Sequence, residues 1–363
     1  MSDDLIICTG GGTGGHVFPG LAVAEVLSEQ WEGRVGWIGS AKGVEREIVA
    51  SFGLPFWSIP AGKLRRYPSL ANLPDMLRVL AGLVASLFLL GRLRPIALFS
   101  KGGFVSVPPA IAAWILRIPV YSHESDVDPG LATRINARCS RQVFIPYEGS
   151  RIHYPRRLQD RLVVTGNPVR RRVLQADPTA GRAFCGFTGE RPIVLFAGGS
   201  RGAAQINGIV REIAPRLRRR ADLVHQRGLH PAPEANASDY VSFDFLVEEF
   251  PDILAAADLV VCRAGAGTLW ELAATGTPAV LIPLMFGSSR GDQVRNAQVY
   301  GEAGAAVSLI GDAATAPAVA DAIESLLDDA ERLRRMSEAA ASFGAAEAAP
   351  LIAATLRAAA VRR

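Results

Sequence analysis

The sequence has few cysteines and no cysteine pair. The four are far apart in the 363 residues, and none forms a C-x-x-C motif: Cys8, Cys139, Cys185 and Cys262. This spacing argues against zinc-binding and redox motifs, and it favours free thiols in a reducing cytoplasm over disulfides. The start of the chain predicts no secretory signal peptide, because Ser-Asp-Asp precedes a first apolar run of only four residues.

The chain also lacks a long uncharged apolar run. The twelve residues 79–90 carry no charge, but a helix needs about 20 apolar residues to span a membrane. Basic residues flank this run, against a single acid, Asp75: Lys63, Arg65, Arg66, Arg78, Arg92 and Arg94. An apolar helix with basic flanks suits docking into an anionic membrane surface, and we predict a membrane patch of Leu83, Leu87 and Phe88. A helix buried in the domain core is the alternative.

No nucleic-acid-binding motif is recognisable, although the net charge is +4. Aromatic residues do not accompany the basic ones as a stacking platform, so nucleic acid is not predicted as a partner. The composition, 49% hydrophobic and 20% charged, is that of a folded globular protein. A chain of 363 residues is long for one core and natural for two domains.

A glycine-rich turn follows the first apolar run. Leu5–Cys8 reads Leu-Ile-Ile-Cys and leads to Gly10-Gly11-Gly12-Thr13-Gly14-Gly15-His16. This pattern predicts a buried strand that turns sharply into a helix, whose N-terminus favours an anion such as a diphosphate. His16 lies at that point and is a candidate general base. The turn lacks the Lys-Ser/Thr of a P-loop, and no acid ends the next predicted strand, as a dinucleotide site would require.

Two similar turns occur in the second half of the chain. The predicted strand Ile193–Ala197 precedes glycines at 198, 199 and 202, and Leu259–Cys262 precedes glycines at 265 and 267. A single glycine turn is also compatible with a loop that binds nothing. Three such turns at strand ends, spread over both halves, favour ligand binding, because ligands of open α/β sheets lie outside the carboxyl ends of the strands.

Strand and helix patterns alternate along the chain, which predicts an α/β protein with parallel sheets. The remaining predicted strands are Val35–Ile38, Ala97–Ser100, Val120–Ser122, Gln142–Ile145, Leu223–Gln226, Val241–Phe243 and Ala279–Ile282. A further predicted strand, at Val163 and Val164, ends in turn residues, and this break predicts a first domain of residues 1–165 and a second of residues 166–342. A last helix, from about 343 to 363, is expected to pack back onto the first domain.

Seven stretches, in order and over nearly the whole chain, resemble the MurG family of bacterial N-acetylglucosaminyltransferases in glycosyltransferase family 28. They are residues 10–24 (GGGTGGHVFPGLAVA), 101–108 (KGGFVSVP), 123–130 (HESDVDPG), 166–170 (GNPVR), 198–207 (GGSRGAAQIN), 263–278 and 291–297 (GDQVRNA). The resemblance implies a GT-B fold, in which two Rossmann-like domains with parallel sheets face a deep cleft.

The resemblance also implies a reaction. N-acetylglucosamine passes from UDP-N-acetylglucosamine to undecaprenyl-diphospho-N-acetylmuramoyl-pentapeptide (lipid I), which gives lipid II with inversion at the anomeric carbon and without a cofactor or metal. Asp126-Val127-Asp128 has the spacing of a metal-binding pair, but it lies inside a matched stretch and we interpret it as loop structure. The implied location is peripheral, on the cytoplasmic face of the plasma (inner) membrane, where cell-wall synthesis and division proteins are further candidate partners.

The resemblance assigns candidate residues to each substrate. The donor-binding candidates are Thr13, Gly14, Asp126, Arg170, Ser200, Leu246, Thr268, Leu269, Glu271, Gln293 and Asn296. Ser200, Thr268 and Arg170 are expected near the phosphates. Leu246 is expected at the uracil and Glu271 at the ribose, with Gln293 and Asn296 at the sugar. The candidates for the acceptor diphosphate are Gly11, Gly12, Thr13, Gly14, Gly15 and His123.

Two residues compete as the catalytic base. His16 is the first, and Glu124 is the second if burial raises its pKa. Asp126 stands where some family members have asparagine, so this chain carries an anion there. Other classes remain open: a nucleotide-sugar epimerase or a glycosyltransferase with another acceptor on the same scaffold, and a non-catalytic nucleotide-sugar-binding or membrane-scaffold protein.

Overall fold

The chain forms two compact units. A computed structural model describes residues 4–41, 43–62, 72–199, 202–228, 230, 236–285, 290–344 and 346–361. Unit 1 comprises residues 1–170 and 346–363, and unit 2 comprises residues 171–345. The division therefore follows Arg170 rather than residue 165, and the chain rejoins unit 1 at Ala346.

Unit 1 is built on a parallel sheet of seven strands in the order β3-β2-β1-β4-β5-β6-β7. The strands are β1 Leu5–Thr9, β2 Arg34–Ser40, β3 Phe56–Ile59, β4 Ala97–Ser100, β5 Val120–His123, β6 Gln142–Ile145 and β7 Leu162–Val164. The helices are α1 Gly14–Gln30, α2 Glu45–Ser51, α3 Asn72–Leu93, α4 Val107–Ile115 and α5 Leu131–Cys139. Every residue of β1 is buried, as expected of a strand covered by helices on both faces.

Unit 2 repeats the design with six parallel strands in the order β10-β9-β8-β11-β12-β13. The strands are β8 Ile193–Ala197, β9 Asp222–Gln226, β10 Tyr240–Phe243, β11 Leu259–Cys262, β12 Ala279–Leu281 and β13 Ala306–Ser308. The helices are α6 Arg171–Leu174, α7 Pro178–Phe184, α8 Ala204–Leu217, α9 Phe250–Ala256, α10 Ala266–Thr275, α11 Asp292–Glu302, α12 Ala316–Leu327 and α13 Ala330–Ala341.

The last helix, α14 Ala348–Val361, belongs to unit 1. Its residues Ile352 and Leu356 are fully buried in the same core cluster as Leu21 and Leu27 of α1. Arg357 donates from Nη1 to the carbonyl oxygen of Gln30, 2.8 Å away, at the end of α1. Helix α14 is thereby fixed to α1.

The predicted α/β class with two parallel sheets is confirmed, and each predicted strand is present to within one or two residues. The sequence did not identify β3 and β13, each of which forms one edge of its sheet, whereas it did identify β7 and β10 at the opposite edges. Three of the four residues of β3 and all three of β13 are only partly buried or exposed, so neither has the continuous apolar pattern of a central strand.

Candidate active site

In each sheet the strand order reverses at one point, and the glycine turns lie at that point. In unit 1, β1 pairs with both β2 and β4, so the loops after β1 and β4 leave the sheet on opposite sides. In unit 2, β8 pairs with both β9 and β11 in the same way. Such a switch point at the carboxyl edge is where open α/β sheets bind ligands.

The first glycine turn joins β1 to α1 as predicted. Thr13 precedes α1 in an extended conformation and makes no side-chain cap to the helix. The first backbone N–H groups of an α-helix have no carbonyl partner within the helix, so Gly14 and Gly15 present donors at the carboxyl edge. Gly12 requires its lack of a side chain, because its φ is +91°.

His16 lies in the first turn of α1 and is partly exposed. Its ring lies against the two glycines that follow β4 and Lys101. A β-carbon at Gly103 would be 3.1 Å from His16 Cδ2, and one at Gly102 would be 3.7 Å from Nδ1. The two loops at the switch point of unit 1 thus meet around this imidazole.

Sequence reasoning missed Glu45, which supports the same turn. Its side chain is fully buried. Its carboxylate accepts hydrogen bonds from the N–H of Gly12 (3.2 Å) and from the N–H (2.9 Å) and hydroxyl (2.5 Å) of Ser40. The N–H of Gly12 is therefore already engaged and is a poor candidate for the acceptor diphosphate. Glu45 stands four residues before the buried Val49 on α2, a placement on the core-facing side that could have identified it.

Glu124 is buried at the end of β5, but its environment does not raise its pKa as expected. Its carboxylate accepts from the N–H groups of Ser125 (2.8 Å), Asp126 (3.2 Å) and Gly130 (3.0 Å). Burial alone raises the pKa of Glu124, but Lys101, the hydroxyl of Thr133 and the backbone N–H groups of Gly130 and Asp126 together bring it below its usual value. Glu124 is thus a stable carboxylate that shapes its loop.

His123 is also fully buried, which does not fit contact with the acceptor. Its Nε2 is 2.9 Å from the carbonyl oxygen of Gly166, so this nitrogen carries the proton and donates it. Burial, followed by the nearby charge of Lys101, lowers the pKa of His123 well below 6.5. The neutral imidazole ties β5 to the turn that precedes Arg170. Directly after that turn, the Arg170 guanidinium lies 4.5 Å from the centroid of the Phe18 ring.

In unit 2, a buried polar chain supports the second glycine turn, between β8 and α8. Ser200 and Arg201 lie outside the described residues. Asn207 of α8 donates from Nδ2 to the carbonyl oxygen of Arg227 (3.0 Å), and its Oδ1 accepts from His225 Nε2 (2.9 Å). His225 Nδ1 in turn accepts from the hydroxyl of Tyr240 (3.1 Å). The start of α8 is thereby held to β9 and β10.

The hydrogen-bonded chain through His225 predicts that the folded state of unit 2 loses stability in acid. Burial, with a smaller effect of Arg227, lowers the pKa of His225 to about 4. An unfolded histidine titrates near pH 6.5, so between pH 6.5 and about 4 only the unfolded state gains a proton. The free energy of unfolding therefore decreases as the pH is lowered through this range. We expect His225 to account for a loss of about 2 kcal/mol between pH 7 and pH 5.

Hydrogen exchange of unit 2 amides at the two pH values measures this loss. The variant His225→Phe should be less stable at pH 7 but should lose less on acidification, because it has no imidazole to protonate. An identical loss in both proteins would contradict the assignment.

The third glycine turn, between β11 and α10, is held by Arg263. Its Nη1 donates to Gln205 Oε1 of α8 (2.9 Å) and to the carbonyl oxygen of Ile282 (2.8 Å), so one guanidinium joins the ends of β11 and β12 to the start of α8. Thr268 and Glu271 of α10 are partly exposed. Leu269 is fully buried, its N–H donates to Gly265 and its carbonyl accepts from Tyr300. Leu269 is a core residue, and its predicted contact with the donor is not supported.

Of three further donor candidates, Asn296 is buried, whereas Gln293 and Leu246 are partly exposed. Asn296 is 1% exposed, and its Nδ2 donates to the carbonyl oxygen of Ala264 at 3.2 Å, so it supports the third turn and is not available to a sugar. Gln293 is partly exposed, and its Oε1 accepts from the N–H of Leu284 (3.0 Å). Leu246 is partly exposed and donates from its N–H to Gln226 Oε1 (3.1 Å).

The predicted membrane patch needs correction. The apolar run is part of the longer helix α3, in which Pro74–Leu93 is the one segment of the described chain long and apolar enough to cross a membrane, judged by length and composition. Leu83 and Leu87 pack against the core of unit 1, whereas Phe88 is 78% exposed. Leu80 and Val84 share the exposed face with Phe88, four residues apart.

The Asp126–Asp128 loop contains an ion pair rather than two open carboxylates. Asp128 accepts from Arg134 Nη2 at 2.7 Å, and Asp126 is partly exposed. Within the part of the chain that the structure describes, no three His, Cys, Asp or Glu side chains are grouped as a metal site.

Comparison with known proteins identifies the family. The models of the glycosyltransferase family 28 N-terminal and C-terminal domains match residues 6–145 and 193–352. The UDP-N-acetylglucosamine–N-acetylmuramyl-(pentapeptide) pyrophosphoryl-undecaprenol N-acetylglucosamine transferase of Treponema denticola is 42% identical over 375 aligned positions, with 96% of each chain covered.

Solved structures show the same fold. MurG of Acinetobacter baumannii is 24% identical, with a TM-score of 0.73 over 98% of this chain and 99% of that one. A UDP-GlcNAc 2-epimerase from Neisseria meningitidis, bound to UDP-GlcNAc, is 15% identical, with a TM-score of 0.69 over 97% and 99%. The two Rossmann-like units are those of a GT-B protein. With the family-model matches and the 42% identity to the Treponema enzyme, the chain belongs to glycosyltransferase family 28 and, within it, to the MurG family.

Proposed function

We propose that this protein transfers N-acetylglucosamine from UDP-N-acetylglucosamine to lipid I and so forms lipid II, with inversion at the anomeric carbon and without a metal. The observation that carries the proposal is that each sheet has a strand–glycine–helix turn at its switch point, in a chain of this family. Two such anion sites suit two diphosphate substrates, one for each unit.

The acceptor diphosphate binds to unit 1 at the start of α1. Gly14 and Gly15 supply backbone N–H donors there, and the positive end of the helix dipole favours the anion. His16 is in the first turn of the same helix. It accepts the proton of the attacking sugar hydroxyl and so acts as the general base. Glu124 has a lowered pKa and engaged oxygens, so it acts by shaping the loop after β5.

The donor binds to unit 2, at the starts of α8 and α10. Thr268 and the first N–H groups of α10 hold the diphosphate, and Glu271 accepts hydrogen bonds from the ribose hydroxyls. The amide of Gln293 contacts the sugar from the start of α11. Negative charge develops on the departing diphosphate, and helix N-termini stabilise it by oriented backbone dipoles that need no metal.

The protein meets its lipid acceptor at the cytoplasmic face of the plasma membrane. The polyprenyl chain stays in the bilayer, because each exposed CH₂ costs about 0.8 kcal/mol. Leu80, Val84 and Phe88 of α3 enter the membrane surface. The exposed Trp114 lies near the end of α4, a helix that packs along α3. The exposed Arg92 and Arg94 then contact the anionic headgroups.

The main competing activity is epimerisation of the donor, which the GT-B scaffold also supports in the Neisseria enzyme. The two are separated by incubating the protein with radiolabelled UDP-N-acetylglucosamine, with and without a short-chain analogue of the lipid acceptor. We expect transfer of the label only when the acceptor is present. A 2-epimer formed from the donor alone would support the epimerase, and tight donor binding without turnover would support a non-catalytic protein.

Gln293 is expected to determine which sugar is accepted. Replacing it by alanine should weaken the preference for UDP-N-acetylglucosamine over its galactose epimer by roughly 10²-fold, because a lost hydrogen bond removes the discrimination. The ratio of kcat/KM for the two donors measures this. Gln175→Ala, which alters an exposed glutamine of unit 2, is the control. An unchanged ratio in Gln293→Ala would remove this residue from the sugar site.

A further inference from the structure

Lys101 is a buried lysine that the proposed mechanism does not use. It is one of only three lysines in the sequence, with Lys42 and Lys63, and it follows β4 directly. The residue is 1% exposed. Its stem occupies space left by glycines of the first turn and of α1. A β-carbon at Gly10 would be 3.1 Å from Lys101 Cβ, and one at Gly20 would be 3.5 Å away.

The ammonium group of Lys101 reaches the loop after β5. Nζ donates to the hydroxyl of Ser125 at 2.6 Å, and that hydroxyl donates to Asn167 Oδ1 at 2.6 Å. Ser125 and Asn167 are themselves buried. One side chain therefore connects three segments at the carboxyl edge of unit 1: the first glycine turn, the loop after β5 and the turn before Arg170.

The two residues on either side of Ser125, Glu124 and Asp126, carry carboxylates whose charges act on this ammonium group. Burial lowers the pKa of Lys101 to about 8, and Glu124 and then Asp126 oppose that effect. His123, a further titratable side chain near it, is neutral because its pKa is well below 6.5. Without Lys101, this loop would keep two negative charges and lose a positive charge that acts on them, at the edge where unit 1 is proposed to bind a diphosphate.

We propose that Lys101 is a positioning residue whose fixed positive charge balances Glu124 and Asp126, so that the carboxyl edge of unit 1 can accept an anionic diphosphate. The inference rests on the proposed function, because it assigns the acceptor to unit 1. Lys101 does not touch the acceptor; it acts through the charge and the placement of the loop after β5.

A double-mutant cycle tests the charge balance. Lys101→Met keeps the length of the stem and removes the charge, and we expect it to raise KM for a soluble diphospho-sugar acceptor by roughly tenfold or more, with little change in KM for the donor. Asp126→Asn removes one of the opposed charges. The double variant should therefore have an acceptor KM several-fold lower than that of Lys101→Met alone.

The control is Arg334→Met, which removes one exposed positive charge from α13 of unit 2 and should leave the acceptor KM unchanged. Equal increases of the two KM values in Lys101→Met, or no rescue by Asp126→Asn, would overturn the proposal. A purely structural lysine would give the increase without the rescue.

A second measurement applies even if Lys101→Met does not fold, and it does not depend on activity. With three lysines in the chain, ¹³Cε-lysine labelling gives three side-chain signals in an NMR spectrum. We expect one signal to titrate near pH 8 and to shift downward by more than about half a pH unit in Asp126→Asn, because a neighbouring carboxylate is lost. An unchanged titration in Asp126→Asn would overturn the proposed charge balance. If instead the wild-type protein transfers no sugar but the shift is seen, the proposed function fails and the charge balance stands.

Discussion

Replacing His16 by alanine is expected to lower kcat by roughly 10²–10⁴, because the variant has no general base for the acceptor hydroxyl. Donor affinity should stay nearly the same, since the donor is proposed to bind to unit 2. The ring of His16 lies over glycines 102 and 103, so its loss removes little packing and should not prevent folding. Single-turnover transfer and equilibrium binding of UDP-N-acetylglucosamine measure the two quantities separately.

His153→Ala is the matched control, because it removes a partly exposed histidine of unit 1 that has no proposed role. It should keep normal turnover. Near-normal turnover in His16→Ala would show that the base is elsewhere. Glu124 would then be the leading candidate, although its lowered pKa makes it a weak base.

Replacing Leu80, Val84 and Phe88 together by serine is expected to reduce binding to anionic vesicles by roughly 10²-fold or more. Burying one large apolar side chain contributes about 1.5–3 kcal/mol, and part of that contribution is lost at each of the three positions. Activity on a full-length lipid acceptor should fall accordingly, while activity on a soluble acceptor analogue should survive. Vesicle sedimentation and the two transfer assays measure these effects.

The control variant replaces two exposed apolar residues far from α3 in sequence, Ile152 and Leu351, by serine and should bind vesicles normally. Serine at Leu83 and Leu87 would not test the surface, because both pack against the core and the helix would be destabilised. Loss of both activities in the Leu80, Val84 and Phe88 variant, with a lowered Tm, would mean that this face of α3 is part of the folded core.

The central strands and the three glycine turns could be predicted because their patterns are local. A run such as Leu-Ile-Ile-Cys before glycines specifies a buried strand and a turn within about ten residues. In contrast, α3 is apolar on almost every side, so its sequence did not distinguish Leu83 and Leu87, which face the core, from Leu80 and Val84, which do not. Only packing against the sheet decides between these faces.

The orientation of site residues was harder to predict than their positions. The resemblance placed His123, Leu269 and Asn296 near the substrates, but all three side chains are buried. His123 and Asn296 instead form hydrogen bonds to backbone carbonyls of the turns. The buried charges of Glu45 and Lys101 depend on partners far along the chain, at Gly12 and Ser125. Contacts of this kind have no local pattern, because the fold alone brings the partners together.

The most direct test of the proposed function is the product of the reaction itself. Purified protein, incubated in EDTA with UDP-N-acetylglucosamine and a short-chain lipid I analogue, should give a product that carries one additional N-acetylglucosamine. NMR of the new linkage should show the β configuration, inverted from the α configuration of the donor. A product that forms only after a divalent metal is added back, or that retains the α configuration, would contradict the proposed mechanism. The absence of any transfer product, in a protein that binds the donor, would contradict the proposed function itself.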